Sequence, residues 1–165
     1  MKNHRFAIWI FLLWLFQSIF LKYIRINGIG PELLYVFTLC VAMYEKRPKY
    51  YITVAVVCGL LSELSAGRMP GFYLIFYTLS VLCTVGLEEI IYRSIFAFVI
   101  PLTAVLTFLG NSVFFFINHN MFESLSFAQA VKTIIFPVVI YNTAVAVVMK
   151  PFVKKTLYKK KFRRR

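Results

Sequence analysis

Acidic side chains are scarce in this 165-residue chain: six Asp plus Glu face nineteen Lys plus Arg, for a net charge of +13. Polar stretches are scarcer still. The sequence is 61% hydrophobic and 18% aromatic with a mean hydropathy of +0.77, whereas soluble domains hold roughly 45 to 50% apolar residues. Each bilayer crossing takes about 20 apolar residues, so the length leaves no room for a soluble domain beside a bundle of helices. The three cysteines, Cys40, Cys58 and Cys83, lie in apolar segments without C-x-x-C spacing. That excludes a disulfide framework or a zinc site and reads them as small buried hydrophobes. Of the two histidines, His4 is terminal and His119 lies in a polar connection, and neither stands near a serine or cysteine in a nucleophile pattern. His119 and Glu123, four residues apart, are too few for a metal site. No Walker, Rossmann or H-E-x-x-H pattern exists. No enzyme activity, cofactor or metal is therefore expected.

What the chain does contain is a series of apolar segments of helical length, and the fold class they predict is an all-α integral membrane protein, a compact bundle of six transmembrane helices. Residues 6–23 form the first; Lys2, His4 and Arg5 precede it, but the run is long and aromatic and has no small-residue cleavage site, so it reads as a retained helix. Gln17 and Ser18 are its only strongly polar interior residues. The second covers residues 31–44, with Pro31 suited to the first helical position and Glu32 favoured in the first turn by the helix dipole. It is short, and the break Glu45-Lys46-Arg47-Pro48-Lys49 is too polar to enter lipid. The third, fourth, fifth and sixth cover residues 50–66, 72–87, 95–117 and 130–149. Gly67, Pro70 and Gly71 mark a tight turn between the third and fourth. Pro101 predicts a kink in the fifth. Ser126 with Gln129 three residues on resembles a capping box opening the last.

On alternate sides of six helices the basic residues divide unequally, fifteen against four. The rich side holds Lys2, Arg5, Lys46, Arg47, Lys49, Arg93 and nine from Lys150 onward; the poor side holds Lys22, Arg25, Arg68 and Lys132. By the positive-inside rule both termini are cytoplasmic, and a five-helix arrangement would strand one basic end outside. Residues 1–153 thus read as the transmembrane domain and 154–165 as a polybasic tail. Lys154, Lys155, Lys159, Lys160, Lys161, Arg163, Arg164 and Arg165 are placed to meet anionic lipid at about 1 kcal/mol each. The charge is a topology and lipid signal rather than a sign of nucleic-acid binding.

The third segment organises this reading. Ala55, Gly59, Glu63 and Gly67 fall near one helical face, a small-residue seam that admits a second helix closely. A carboxylate in that seam, at roughly 2.5 to 3.5 kcal/mol near the bilayer centre, needs donors from a facing helix such as Tyr77 or Asn111. Snorkelling to the nearer interface is the alternative.

Pro31-Glu32-Leu33 opening the second helix, the charged break, then Gly59-Leu60-Leu61-Ser62-Glu63-Leu64 with Gly67, Pro70-Gly71, Tyr73 and Tyr77 resemble the MreD family of rod shape-determining membrane proteins. Where that family commonly shows Asp in the third helix, this chain has Glu63. The resemblance implies a fold similar to the substrate-binding components of energy-coupling-factor vitamin transporters, a place in the bacterial cytoplasmic membrane, and no enzymatic activity. It implies a scaffold of the cell-elongation complex that binds MreC and, through it, couples MreB filaments to the RodA-transpeptidase synthase of the lateral wall. Pro31, Glu32, Gly59, Glu63, Gly67, Pro70, Gly71 and Tyr77 are the partner-binding or structural positions it marks. The alternative is a transporter component binding a small, vitamin-like molecule in an outward pocket near Glu63, Asn118 and His119.

Overall fold

The computed structural model describes residues 2–19, 30–66, 71–90, 95–118 and 126–158. Gly67, Pro70, His119, Glu123 and the basic residues from Lys159 onward lie outside the described residues. Six helices account for the rest: α1 (Lys2–Ile19), α2 (Leu33–Tyr44), α3 (Pro48–Ala66), α4 (Phe72–Ile90), α5 (Ile95–Ile117) and α6. Helix α6 runs through Phe127–Ala130, a π-turn at Val131–Ile135 and Phe136–Tyr158. No strand occurs among the described residues.

Polarity is distributed as a lipid solvent demands. Large apolar side chains such as Phe11, Leu64, Phe116 and Val148 face outward, while Thr38, Ser62, Ser80, Thr103, Thr107 and Asn142 are buried. Exposed large apolar side chains occur on every helix but α2, as on a surface that faces lipid. Two helices are long and apolar enough to cross a bilayer on those grounds alone, over Phe98–Ile117 and Phe127–Lys155. The interior serines and threonines also follow the habit of membrane helices, returning their hydroxyls to the carbonyl one turn back, as Thr84 does to Ser80 and Thr143 to Val139.

The centre of the bundle is α2. It packs against all five other helices, and eleven of its twelve residues are buried. At about 1.5 Å per residue it is roughly 18 Å long, too short for a hydrocarbon core of about 30 Å. A helix too short to cross is tolerable in lipid only where protein surrounds it, and α2 is buried from Leu33 to Met43. The sequence pattern had placed the organising role on α3, because hydrophobicity all around a helix carries no face from which to read centrality.

Local chemistry explains most element ends. Ser126 caps α6 by accepting from the Gln129 amide, and the Gln129 side chain accepts in return from the Ser126 backbone, the capping box expected from the sequence. Gly71 starts α4 with φ of +93°, a conformation that favours glycine. Within α6, Pro137 has no N–H to donate, and the ladder widens just before it: Phe136 N–H reaches back to Val131 C=O. That is where helices absorb such a defect. Helix α5 passes through Pro101 without interruption.

Two expectations need correction. Pro31 is not the first helical residue and Glu32 is not in the first turn: α2 starts at Leu33, and Glu32 is its N-cap, with φ of −97° and ψ of 82°. The last helix does not stop near Met149 but continues through Pro151 to Tyr158. Burial supplies the reason, since Met149, Lys150 and Val153 all pack inside, and Phe152 meets Trp9 of α1 edge-on with ring centroids 4.8 Å apart. The helix therefore crosses the boundary drawn after residue 153.

Candidate functional site

Two polar nodes lie in the bundle, and both exist to finish helix ends. The first surrounds the start of α2, where free backbone amides face the interior. Gln17 of α1 accepts from Leu34 N–H at 3.0 Å through Oε1. Asn142 of α6 accepts from Glu32 N–H at 2.8 Å through Oδ1, and its Nδ2 reaches Thr107 Oγ1 of α5 at 3.5 Å. Asn142 is fully buried, so an unsatisfied amide at this depth would cost about 1 to 3 kcal/mol. Tyr35, in the first turn of α2, donates its hydroxyl to Ser80 Oγ of α4 at 3.2 Å.

The second node is the crossing of α3 and α4, which pack on one another. Gly59 is a point of close approach. A Cβ built there would lie 2.7 Å from Leu74 Cα and 3.0 Å from the Tyr73 carbonyl oxygen, so only glycine admits α4 at this distance. One turn on, Glu63 accepts from Leu74 N–H at 3.0 Å through Oε1. This is a cap supplied to the positive N-terminus of α4 by a neighbouring helix, a placement the dipole favours. The donor is thus neither Tyr77 nor Asn111: Tyr77 pairs its hydroxyl with Ser62 Oγ at 3.0 Å, and Asn111 donates to Thr107 C=O in its own helix. Ser65, at the end of α3, accepts from Trp14 Nε1 of α1 at 2.8 Å and lies 3.4 Å from Ser18 Oγ.

Aromatic rings join the nodes. Tyr35 stacks on Phe76 and tilts against Tyr77, both with centroids 5.0 Å apart. The Phe76 ring in turn lies on Gly110 of α5, so closely that a Cβ there would overlap it at 2.1 Å. The result is a connected set of contacts from α3 through α4 and α2 to α5.

Of the positions marked from the sequence, Gly59, Glu63 and Tyr77 come together at the α3–α4 crossing, Glu32 stands at the other node, and Pro31 and Gly71 are half-buried residues just before α2 and α4. Lys154 and Lys155 are exposed on the last turns of α6. Cys40 and Cys58 are buried, but Cys83 faces outward. Beside the α2–α3 break, Arg47 is held bidentately by Glu45 at 2.9 and 3.2 Å and lies over the Tyr50 ring, which raises its guanidinium further above the ordinary value. Among the described residues no three His, Cys, Asp or Glu side chains gather as a metal would require. The functional residues that sequence reasoning left unassigned are Gln17, Asn142, Ser80 and Phe76. Gln17 is a polar residue in an apolar helix, as is Asn142, but nothing local says that they meet α2.

Among known protein families, a profile described as MreD, rod shape-determining protein MreD, matches residues 2–161. No curated protein and no solved structure matches the chain.

Proposed function

The chain belongs to the MreD family of rod shape-determining proteins, a family not known for enzymes, and from that membership we propose a non-catalytic membrane scaffold of the cell-elongation complex. In this reading it binds MreC and helps couple MreB filaments to the RodA-transpeptidase synthase that builds the lateral wall. The observation that carries it is the use of the interior polar groups. Gln17, Asn142, Glu63, Ser62 and Tyr77 close helix ends and helix crossings, which suits a rigid body that presents faces to partners. The likeness to vitamin-binding transporter components remains part of the proposal as a fold, while those same groups, already bonded, favour the scaffold over a ligand pocket.

The proposed placement is the bacterial cytoplasmic membrane, with six crossings by the bundle as a whole and both termini in the cytoplasm. Lys154, Lys155 and the basic residues from 159 to 165 would then lie against the anionic leaflet. Reporter fusions test the topology: those at Asn27, Met69 and Asn120 report outside, and those at Lys46, Glu89 and Arg165 inside. Co-purification of MreC with the detergent-extracted chain tests the scaffold. A chain that leaves MreC behind yet carries a tightly bound small molecule would reverse the choice.

A further inference from the structure

Helices α2 and α6 run side by side in one direction. Glu32 N–H bonds to Asn142 Oδ1 where α2 starts, and Cys40 and Lys150, each eight residues further on, lie within electrostatic reach of one another. That register brings Tyr44, the last residue of α2, level with Lys154, and the break after it level with residues 155–157. Two adjacent elements therefore set exposed cations at one depth, Lys46 and Arg47 on the break and Lys154 and Lys155 on α6. Lys155 also ends the apolar span of α6, which puts this depth at the edge of the hydrocarbon. Arg47 is held in place: Glu45, itself buried, accepts two bonds from it, and it lies over the Tyr50 ring with half of its side chain exposed. Glu45 engages two of the five N–H donors of the guanidinium and cancels its charge, so the lysines carry the net charge of this surface. Along α6, Lys150 and Lys154 stand one turn apart, a like-charge spacing that weakens a helix, yet α6 continues through both to Tyr158. The acids Glu88 and Glu89 lie at the end of α4, which packs on α3, α2 and α5.

We propose that this surface binds the head group of an anionic phospholipid that carries two phosphates, of the cardiolipin type, with one phosphate against Lys46 and Arg47 and the other against Lys154 and Lys155. Charge selects the class of ligand, and placement selects its size. Basic residues gathered between membrane helices at head-group depth suit anionic lipid. An arginine already fixed by a carboxylate turns its remaining N–H donors to a phosphate oxygen with little further ordering. Neighbouring helix axes stand about 8 to 10 Å apart, so a single phosphate engages one element, while two phosphates joined through one glycerol engage both. Anionic charge beside Lys154 also relieves the like-charge spacing along α6. The site is distinct from the diffuse attraction of the tail, because it needs none of residues 159–165. It rests on the membrane placement proposed above and not on the binding of MreC.

The test incubates the full chain in detergent with tetraoleoyl cardiolipin or with dioleoyl phosphatidylglycerol at equal phosphate, and counts bound lipid by native mass spectrometry. Wild type is expected to hold cardiolipin about tenfold more tightly than phosphatidylglycerol, and the double variant Lys46→Gln/Lys154→Gln to lose about 30-fold in cardiolipin affinity, the effect of two lysines on an anionic head group. Lys46→Arg/Lys154→Arg keeps both charges and binds as wild type does, and so does a chain ending at Tyr158. Arg47 stays in place throughout, because its removal would orphan the buried Glu45. If the double Gln variant fails to fold, the single changes Lys46→Gln and Lys155→Gln replace it, each losing about fivefold. Equal affinity for the two lipids, unchanged binding in the Gln variants, or loss of binding on removing residues 159–165 overturns the proposal. Capture of a poly-glutamate peptide in place of cardiolipin, abolished by the same Gln variants, also overturns it and gives the surface to an acidic protein. The reporter fusions read the leaflet and this assay reads the site, so the two fail separately.

Discussion

Replacing Gly59 with alanine puts a methyl group where α4 already stands. The three nearest atoms to the new Cβ are Leu74 Cα at 2.7 Å, the Tyr73 carbonyl oxygen at 3.0 Å and Leu74 N at 3.1 Å. All are backbone, so no rotamer change relieves the contact. Carbon atoms settle at about 3.5 to 4.0 Å, and α4 must therefore retreat by roughly 1 Å. Overpacking of that kind costs about 1 to 3 kcal/mol. The retreat also carries Leu74 N–H away from Glu63 Oε1, now 3.0 Å apart, to a separation that no longer counts as a bond. Losing a bond to a charged acceptor adds about 1.5 to 3 kcal/mol, so the expected total is roughly 2 to 4 kcal/mol once overlap between the two effects is allowed. The two losses share one movement. Glu63→Leu alone is expected to cost about 1 to 3 kcal/mol, and Glu63→Gln, which keeps an acceptor, less. In the Gly59→Ala background the further cost of Glu63→Leu falls below about 1 kcal/mol, because the bond is already gone. Unfolding of the purified chain in mixed micelles, titrated with a denaturing detergent and followed by circular dichroism, gives all the required differences. Gly86→Ala is the control: it lies on the same α3–α4 pair, nothing stands within 4 Å of its Cβ position, and it should be neutral or gain about 0.5 to 1 kcal/mol. A Gly59→Ala chain within about 0.5 kcal/mol of wild type, or strict additivity with Glu63→Leu, would refute the close-contact account.

Other substitutions probe the remaining joints by the same unfolding assay. Gln17→Leu and Asn142→Leu each uncap α2 and are expected to destabilise by about 1 to 3 kcal/mol, Asn142→Leu more because it also abandons Thr107; equal, negligible effects would mean that water caps the helix instead. Gly110→Ala drives a methyl into the Phe76 ring, at about 1 to 3 kcal/mol, and Phe76→Leu in that background should recover part of the loss; no rescue would place the clash elsewhere. Removing residues 159–165 deletes six basic side chains while leaving α6 whole. Affinity for anionic vesicles is expected to fall, and the difference to vanish at high salt; unchanged binding would leave those residues as a topology signal only.

Much of this architecture could be read from local pattern. The capping box at Ser126 and Gln129, the bounds of α5 and the turn at Gly71 are written within a few residues of where they act. The need of Glu63 for a donor was legible too, although the donor is a backbone amide, and backbone amides are invisible to side-chain reasoning. The role of α2 was hidden for a different reason. Its centrality depends on bonds from Gln17, 17 residues before Leu34, and from Asn142, 110 residues after Glu32, and no periodicity encodes a pairing across such distances. The extension of α6 escaped notice because Lys150 and Pro151 look like a terminus, while the burial of Met149 and Val153 that sustains the helix is a property of the packed bundle.

The separation between Glu32 and Asn142 also sets a clock. The ribosome adds about 5 to 20 residues per second, so on the order of 5 to 20 s pass between the emergence of Glu32 and that of the amide that caps it. During that interval α2 is only half capped: Leu34 N–H has Gln17 as its acceptor, but Glu32 N–H still lacks Asn142. The first and third helices are made beforehand, and the last helix to be synthesised closes the fold against the second. A nascent chain halted anywhere before Asn142 therefore leaves the Glu32 amide uncapped, so the last helix to be made is the one that completes the seat of the second.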